Sequence, residues 1–192
     1  MTVTTPALTT RERVIDAAIT LTTQDGWAQV TMARLADTVG VSRQTVYNEI
    51  GSKPRLAEAM ILHELERFLG LVTVAFDAHE TDLDAAIRDA CRSVLEASQD
   101  NLLLRAIVSA THGADTELLP LLTTHAGALL STAKAVVVER VAPYDVALSG
   151  TQLDAAIDAV VRVVLSHVMQ PSGTPAATAD DIAWISARVL RP

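Results

Sequence analysis

The segment from Ser42 to Lys53, "SRQTVYNEIGSK", places hydroxyl, guanidinium, amide and ammonium groups within a dozen residues and includes one acidic side chain. Arginine and glutamine can pair with base edges, whereas tyrosine and lysine suit phosphate oxygens. The whole chain is acidic, with 15 Lys and Arg against 23 Asp and Glu. Residues 1–60, however, hold six basic and six acidic side chains. This neutral N-terminal part is therefore the part that a polyanion could approach.

Two short helices are needed to position these donors, and the sequence predicts both. Thr31 precedes "MARLADTVG" and Ser42 precedes "RQTVYNEI", each at the place of an N-cap. Gly40 between them suits a turn with positive φ, and Ala36 is small where the helices must cross. The pattern predicts a helix-turn-helix over about residues 31–50.

The second of these helices is expected to turn Val46 and Ile50 inward and its polar side chains outward. Because the first residues of a recognition helix normally reach the bases, Arg43 and Gln44 are the candidate base contacts. Lys53 and the N–H groups that open the next helix form a candidate phosphate site. The other outward residues are Thr45 and Tyr47, with Asn48 near the edge.

The stretch "GWAQVTMARLADTVGVSRQTVYNEIGSKPRLAEAM" resembles the DNA-binding domain of the TetR family of bacterial transcriptional regulators. The resemblance covers roughly residues 11–60 and rests on Gly26, Trp27, Thr31, Ala36, Gly40, Val41, Ser42, Thr45, Val46, Tyr47, Ile50, Ser52 and Lys53. It implies DNA contacts by Thr31, Arg43, Gln44, Thr45, Tyr47 and Lys53. The sequence departs from the family at Asn48 and Glu49, where an aromatic residue or histidine is usual, and at Ile50, where phenylalanine is usual.

The rest of the chain is predicted to be helical as well. Hydrophobic residues make up 49% of it and aromatic residues 3%, a composition that favours helices over sheets. Helices are expected at about 82–97, 102–111, 118–141, 151–169 and 180–190, which gives an all-α fold of about nine helices. We expect a DNA-binding domain at residues 8–55 and a larger effector-binding and dimerisation domain at residues 56–192.

The last two helices are predicted to carry wide apolar stripes that suit a homodimer interface, as the resemblance also implies. The stripe residues are Leu153, Ile157, Val160, Val161, Val164, Val168, Trp184, Ile185 and Val189.

An effector pocket is expected between about Leu56 and Val141, where Phe68 and Phe76 are the only aromatic residues. Because planar drugs are usually held by aromatic walls, this aliphatic region favours a fatty acid, an acyl thioester or a similar aliphatic molecule. Polar residues that could hold its head group are Arg105, Ser109, Thr111 and His112. The alternative is that these helices pack solidly and leave no pocket.

Together with these features, the resemblance implies a ligand-responsive transcriptional repressor that leaves a palindromic DNA operator when a small apolar effector binds. The sequence has no Gly-rich phosphate loop after a strand, no Gly-x-Ser-x-Gly elbow and no His-Glu-x-x-His motif, so no enzyme is predicted. No cofactor, metal site or membrane span is expected, and the predicted location is the cytoplasm. Two alternatives stay open: a helical carrier or enzyme without a DNA role, and a DNA-binding protein without a ligand.

Overall fold

A computed structural model describes residues 7–105 and 126–190, and all regular structure in these ranges is helical. The elements are α1 (Thr10–Asp25), a 3-10 turn (Trp27–Gln29), α2 (Met32–Val39), α3 (Arg43–Ile50), α4 (Lys53–Ala78), α5 (Leu83–Gln99), α6 (Ala126–Val141), α7 (Gly150–Met169) and α8 (Pro175–Leu190). Residues 102–105 add a short helical run. The all-α prediction is confirmed for these ranges; the parts of the expected helices at 106–111 and 118–125 lie outside the described residues. No helix within the described ranges has the length and hydropathy that a membrane crossing requires.

The chain divides into two compact units, and it passes from one to the other inside α4. The first unit runs to Glu64, and the second contains Leu65–Leu104 and the helices from α6 onward. The expected boundary was residue 55. The first turns of α4 instead belong to the first unit, where Leu56 is buried and His63 Nε2 lies 3.5 Å from the carboxylate of Asp16 on α1.

A capping box fixes the start of α1. The backbone N–H of Glu12 donates to the hydroxyl of Thr9 at 3.2 Å, and the Glu12 carboxylate accepts from the backbone N–H of Thr9 at 2.7 Å. These contacts satisfy N–H groups that have no partner inside the helix. The hydrogen bonds from the backbone and hydroxyl of Thr9 lower the pKa of Glu12 below its ordinary value.

The core of the second unit consists mainly of small and branched aliphatic side chains. Helix α8 packs along α5, and α7 packs on α5, α6 and α8. Cys91 of α5 belongs to this core, and burial raises the pKa of its thiol to about 12. The thiol is therefore protonated at neutral pH and packs as a small hydrophobic side chain.

Tyr144 ties the segment after α6 to the end of α4. Its hydroxyl donates to the carbonyl oxygen of His79 at 2.9 Å, and its ring meets Phe76 edge-on with centroids 6.0 Å apart. Burial, with nearby acidic side chains, raises the pKa of the phenol, which keeps it protonated as a donor. Arg140 Nη1 adds a contact at 2.8 Å with Asp77 near the same helix end.

The last helix begins five residues earlier than expected, at Pro175 rather than at residue 180. The hydroxyl of Thr174 accepts from the backbone N–H of Ala177 at 3.3 Å and so caps the first turn. Proline suits the first helical position because the N–H it lacks would have had no partner there. The segment between the two expected helices thus supplies the start of α8.

Two residues of the expected dimer stripe lie inside the second unit itself. Ile157 is 3% exposed and Val161 is 8% exposed, and both belong to the unit's core. Half-buried residues of α7 that pack against this core are Leu153, Val160 and Val164. Val168 is half-buried. Ile157 and Val161 are therefore core residues, and a partner subunit would have to contact other side chains.

Six large apolar side chains remain exposed on the last two helices, and we call this set the α7–α8 apolar surface. Its members are Val163, Leu165, Met169, Trp184, Ile185 and Val189. Trp184 is 60% exposed, and Arg188 lies over its ring at 5.2 Å from the centroid. Large exposed apolar groups of this kind commonly mark interaction sites.

Candidate DNA-binding site

The turn between α2 and α3 is held by local hydrogen bonds. The backbone N–H groups of Gly40 and Val41 both donate to the carbonyl oxygen of Ala36, at 2.9 and 3.0 Å. Gly40 has φ 76° and ψ 39°, the left-handed conformation that glycine adopts without strain. A Cβ atom at this position would meet no neighbour within 4 Å, so the requirement for glycine comes from the backbone alone.

Helix α3 begins at the N-cap Ser42, whose hydroxyl accepts from the backbone N–H of Thr45 at 3.1 Å. Val46 is fully buried and Ile50 is 4% exposed, so these residues fix the inward side of the helix. The opposite side faces solvent. Gln44 and Asn48 are exposed on it, Tyr47 is exposed at its edge, and Arg43 is exposed in the first turn of the helix.

Two arginines of α1 bind the carbonyl ends of both helices of the motif. Arg13 Nη2 donates to the carbonyl oxygen of Val39 at the end of α2, and Arg11 Nη1 donates to that of Glu49 near the end of α3, both at 2.5 Å. A cation is favoured at a helix C-terminus, where carbonyl groups lack partners and the helix dipole is negative. These contacts join α1 to the ends of α2 and α3.

Lys53, a predicted phosphate contact, lies beside the aromatic ring of Trp27. Its Nζ atom is 4.8 Å from the ring centroid, a cation–π distance. Trp27 itself is 4% exposed, so its ring packs inside the unit. The start of α4 is thereby placed beside the turn that leads into α2.

The remaining predicted contacts take part in capping. Thr31 is exposed, and its hydroxyl oxygen accepts from the backbone N–H of Arg34 at 3.2 Å. Thr45 is half-buried, with its hydroxyl 2.8 Å from that of Ser42. Both hydroxyls thus have roles within the motif before any DNA is bound.

Three features of this region escaped the sequence analysis. The contacts of Arg11 and Arg13 were not expected, although two cations near the start of α1 oppose the helix dipole and so call for partners elsewhere. Arg34 binds the carboxylate of Asp25. Asn48, expected near the edge of the outward face, lies one helical turn after Gln44, and their amides are hydrogen-bonded.

The predicted effector residues are only partly within the described ranges. Phe76 is 5% exposed and belongs to the core, Phe68 is half-buried on α4, and Arg105 is exposed. Ser109, Thr111 and His112 lie outside the described residues. A small surface groove lies elsewhere, lined by residues that include Leu95 and His167. Within the described ranges, no three His, Cys, Asp or Glu side chains gather as a metal-ligand set.

A capped pair of short helices, joined by a left-handed glycine and with a polar outer face on the second helix, defines a helix-turn-helix DNA-binding protein. The chain belongs to the TetR family. The profile of the bacterial regulatory proteins of the tetR family matches residues 14–60, and that of the bacterial tetracyclin repressor C-terminal domain matches residues 82–188.

The chain is therefore a ligand-responsive DNA-binding transcriptional regulator and not an enzyme. Regulators of this family act as dimers.

Known relatives agree with this assignment. The HTH-type transcriptional regulator AlkX of Mycobacterium tuberculosis is 33% identical over 187 residues, which cover 95% of this chain and 83% of the relative. The TetR family repressor AlkX from Dietzia sp. strain DQ12-45-1b, implicated in biodegradation of n-alkanes, has 27% identity and a TM-score of 0.77, with 97% of this chain and 98% of that chain covered. The fatty acid degradation regulator FadR from Bacillus halodurans shares the fold, with 16% identity, a TM-score of 0.57, and 97% and 99% coverage.

The contact between Arg13 and Val39 gives a first prediction. Arg13→Met keeps much of the side-chain length but removes the donors that bind the end of α2. We expect the free energy of unfolding to fall by about 1 kcal/mol and DNA affinity to weaken, since α3 follows directly from α2. Urea unfolding would measure the free energy of unfolding, and fluorescence anisotropy of labelled DNA would measure the DNA affinity.

Arg92→Met is the matched control, because Arg92 is exposed on α5 and pairs with Glu96 one turn away. Exposed pairs of this kind contribute little to stability, so little change is expected. Equal losses in the two variants would mean that the contact with Val39 has no special role.

Proposed function

We propose that this regulator is a repressor that binds a palindromic operator as a homodimer and leaves it when an aliphatic molecule binds the expected effector-binding domain, residues 56–192. The observation that carries the DNA-binding part is the outer face of α3, where Gln44 is exposed opposite the buried Val46 and Tyr47 is exposed beside it, with Arg43 exposed in the first turn. Arg43 and Gln44 would read bases, whereas Tyr47, Thr31, Thr45 and Lys53 would contact the backbone. Such a regulator would work in the bacterial cytoplasm, where the DNA lies.

The operator itself can be found by selecting bound sequences from random double-stranded DNA. An enriched palindrome would support this proposal, and its half-site spacing would match the separation of the two recognition helices in the dimer. No enrichment over non-specific sequences would contradict it.

Lys53 gives a test of the phosphate contacts. Lys53→Ala should weaken binding to all sequences alike, because phosphates carry no base information, and should lower the salt slope by about one for each half-site. Anisotropy titrations at several salt concentrations would measure the slope. Lys134→Ala is the matched control, since Lys134 pairs with Asp154 at 2.6 Å in the second unit. A changed base preference with an unchanged salt slope would contradict the assignment of Lys53.

The α7–α8 apolar surface is the proposed dimer interface. A two-fold interface uses the same surface on both subunits, so one substitution introduces a charge on each side of the interface. Burying such a charge without a partner is costly, which would favour separate subunits.

Ile185→Asp should therefore produce monomers, since Ile185 is 50% exposed and the change leaves the core of the unit intact. Sedimentation velocity at micromolar concentration would measure the assembly. Val74→Asp, at a residue of α4 that is 67% exposed, is the control and should stay dimeric. A wild-type monomer, or an Ile185→Asp dimer, would argue against this interface.

An aliphatic effector is supported by two observations. Phe68 and Phe76 are the only aromatic residues between Leu56 and Val141, and Phe76 is already packed in the core. The related AlkX from Dietzia is implicated in biodegradation of n-alkanes. A flexible chain gains about 0.8 kcal/mol for each buried methylene, so affinity should rise with chain length.

Thermal-shift screening would test this choice of effector. We expect fatty acids, acyl thioesters or alkanes to raise the melting temperature, increasingly with chain length, and to release the bound operator. Arg105→Ala should reduce the response to fatty acids but not to alkanes if Arg105 holds a carboxylate head group. Stabilisation by planar cationic dyes alone, with no response to any acyl compound, would exclude an aliphatic effector.

A further inference from the structure

The two amide side chains of the recognition helix are hydrogen-bonded to each other. Gln44 Nε2 donates to Asn48 Oδ1 at 2.9 Å, and both residues are exposed. The hydrogen bond can still form if both amide groups are rotated by 180°, because the nitrogen of either residue can donate to the oxygen of the other. One such bond on a free helix surface adds little stability, so its consequence is to restrict where the Gln44 amide points.

The amide pair occupies the centre of the outward face of α3. At about 100° per residue, Gln44 and Asn48 lie about 40° apart, and the direction midway between them points directly away from the buried Val46 and Ile50. A helix that enters the major groove turns this central line toward the base edges. Tyr47 lies to one side of it and Thr45 to the other, closer to the walls of the groove, whereas Arg43 lies off this face in the first turn of the helix.

The hydrogen-bonding groups of the pair match adenine. A glutamine amide reads adenine by accepting from N6–H with its oxygen and donating to N7 with one N–H. Gln44 has a second N–H, which can stay bonded to Asn48 while the other two groups meet the base. Gln44 Nε2 and Asn48 Oδ1 are 2.9 Å apart, which is less than the spacing of about 3.4 Å between base pairs. The two amides can therefore contact one base pair and at most its neighbour.

We propose that Gln44 and Asn48 act as one unit that reads an adenine in each operator half-site, with Asn48 as the residue that positions the Gln44 amide. A lone glutamine has to give up rotamer freedom when it binds a base, and prior fixation by Asn48 removes part of that cost. Asn48 stands where the family usually has an aromatic residue or histidine, so the pair distinguishes this chain from the usual pattern. This inference rests on the proposed function, in which α3 contacts DNA.

The experiment compares the base preference of the wild type with that of each variant by selection from random double-stranded DNA. Affinities are then measured for the enriched palindrome and for its single-base substitutions. Gln44→Ala should abolish the preference for adenine at one position, a preference of roughly 5- to 150-fold for a good amide–adenine pair. Asn48→Ala should reduce the preference at the same position. The double variant should lose no more than Gln44→Ala alone, since the two residues act as a unit.

Asn48→Asp separates positioning from other roles of Asn48. Aspartate has nearly the same shape and keeps the oxygen that accepts from Gln44, but it adds a negative charge close to the phosphates. We expect it to bind every sequence more weakly while keeping the adenine preference. Gln24→Ala, which removes an exposed amide of α1, is the control and should change neither affinity nor preference.

The outcomes distinguish this inference from the proposed function. Three results would each overturn the amide pair and leave the regulator's DNA binding intact. The first is an equal base preference of Asn48→Ala and wild type, and the second is additive losses in the double variant. The third is a base other than adenine at the position whose preference depends on Gln44. Absence of any sequence preference in the wild type would overturn the proposed function itself. Thermal unfolding of Asn48→Ala should match wild type, because a purely structural role would lower its melting temperature.

Discussion

The guanidinium groups of Arg11 and Arg13, each bound to the last carbonyls of a neighbouring helix, are the contacts on which the DNA-binding motif depends. Helices α2 and α3 have eight residues each, and helices of that length are not stable alone in water. Caps at Thr31 and Ser42 fix where they begin. Gly40 and Gly51, both with positive φ, end the two helices, and the arginines hold these ends against α1.

The second unit is stabilised differently, by continuous apolar packing. Helices α5 and α8 meet through alanine and branched aliphatic side chains, and the buried thiol of Cys91 fills the same core. Its polar contacts lie at the margins, as where Tyr144 satisfies the carbonyl of His79 beyond the end of α4. Helix α4 belongs to both units, so the polar motif and the apolar core share one continuous backbone.

Local signals made most of the motif predictable. Thr31, Ser42 and Gly40 act within four residues of their own positions, and each does what its side chain or backbone freedom indicated. The contact of Arg11 with Glu49 spans 38 residues, and no local pattern encodes it. Periodicity likewise could not separate the core residues Ile157 and Val161 from exposed members of the same stripe such as Ile185, because an inward face and a partner-facing face have the same spacing.

Several basic residues of the first unit are already bound to other groups of the protein, and this affects how the regulator would search a genome. Arg11 and Arg13 bind backbone carbonyls, and Arg34 binds Asp25. Binding to arbitrary DNA depends on the number of phosphates that cations neutralise, and the acidic remainder of the chain opposes it. Short dwell times on unrelated sequences would follow, so the protein would find its site mainly by repeated dissociation and rebinding rather than by long sliding along the duplex.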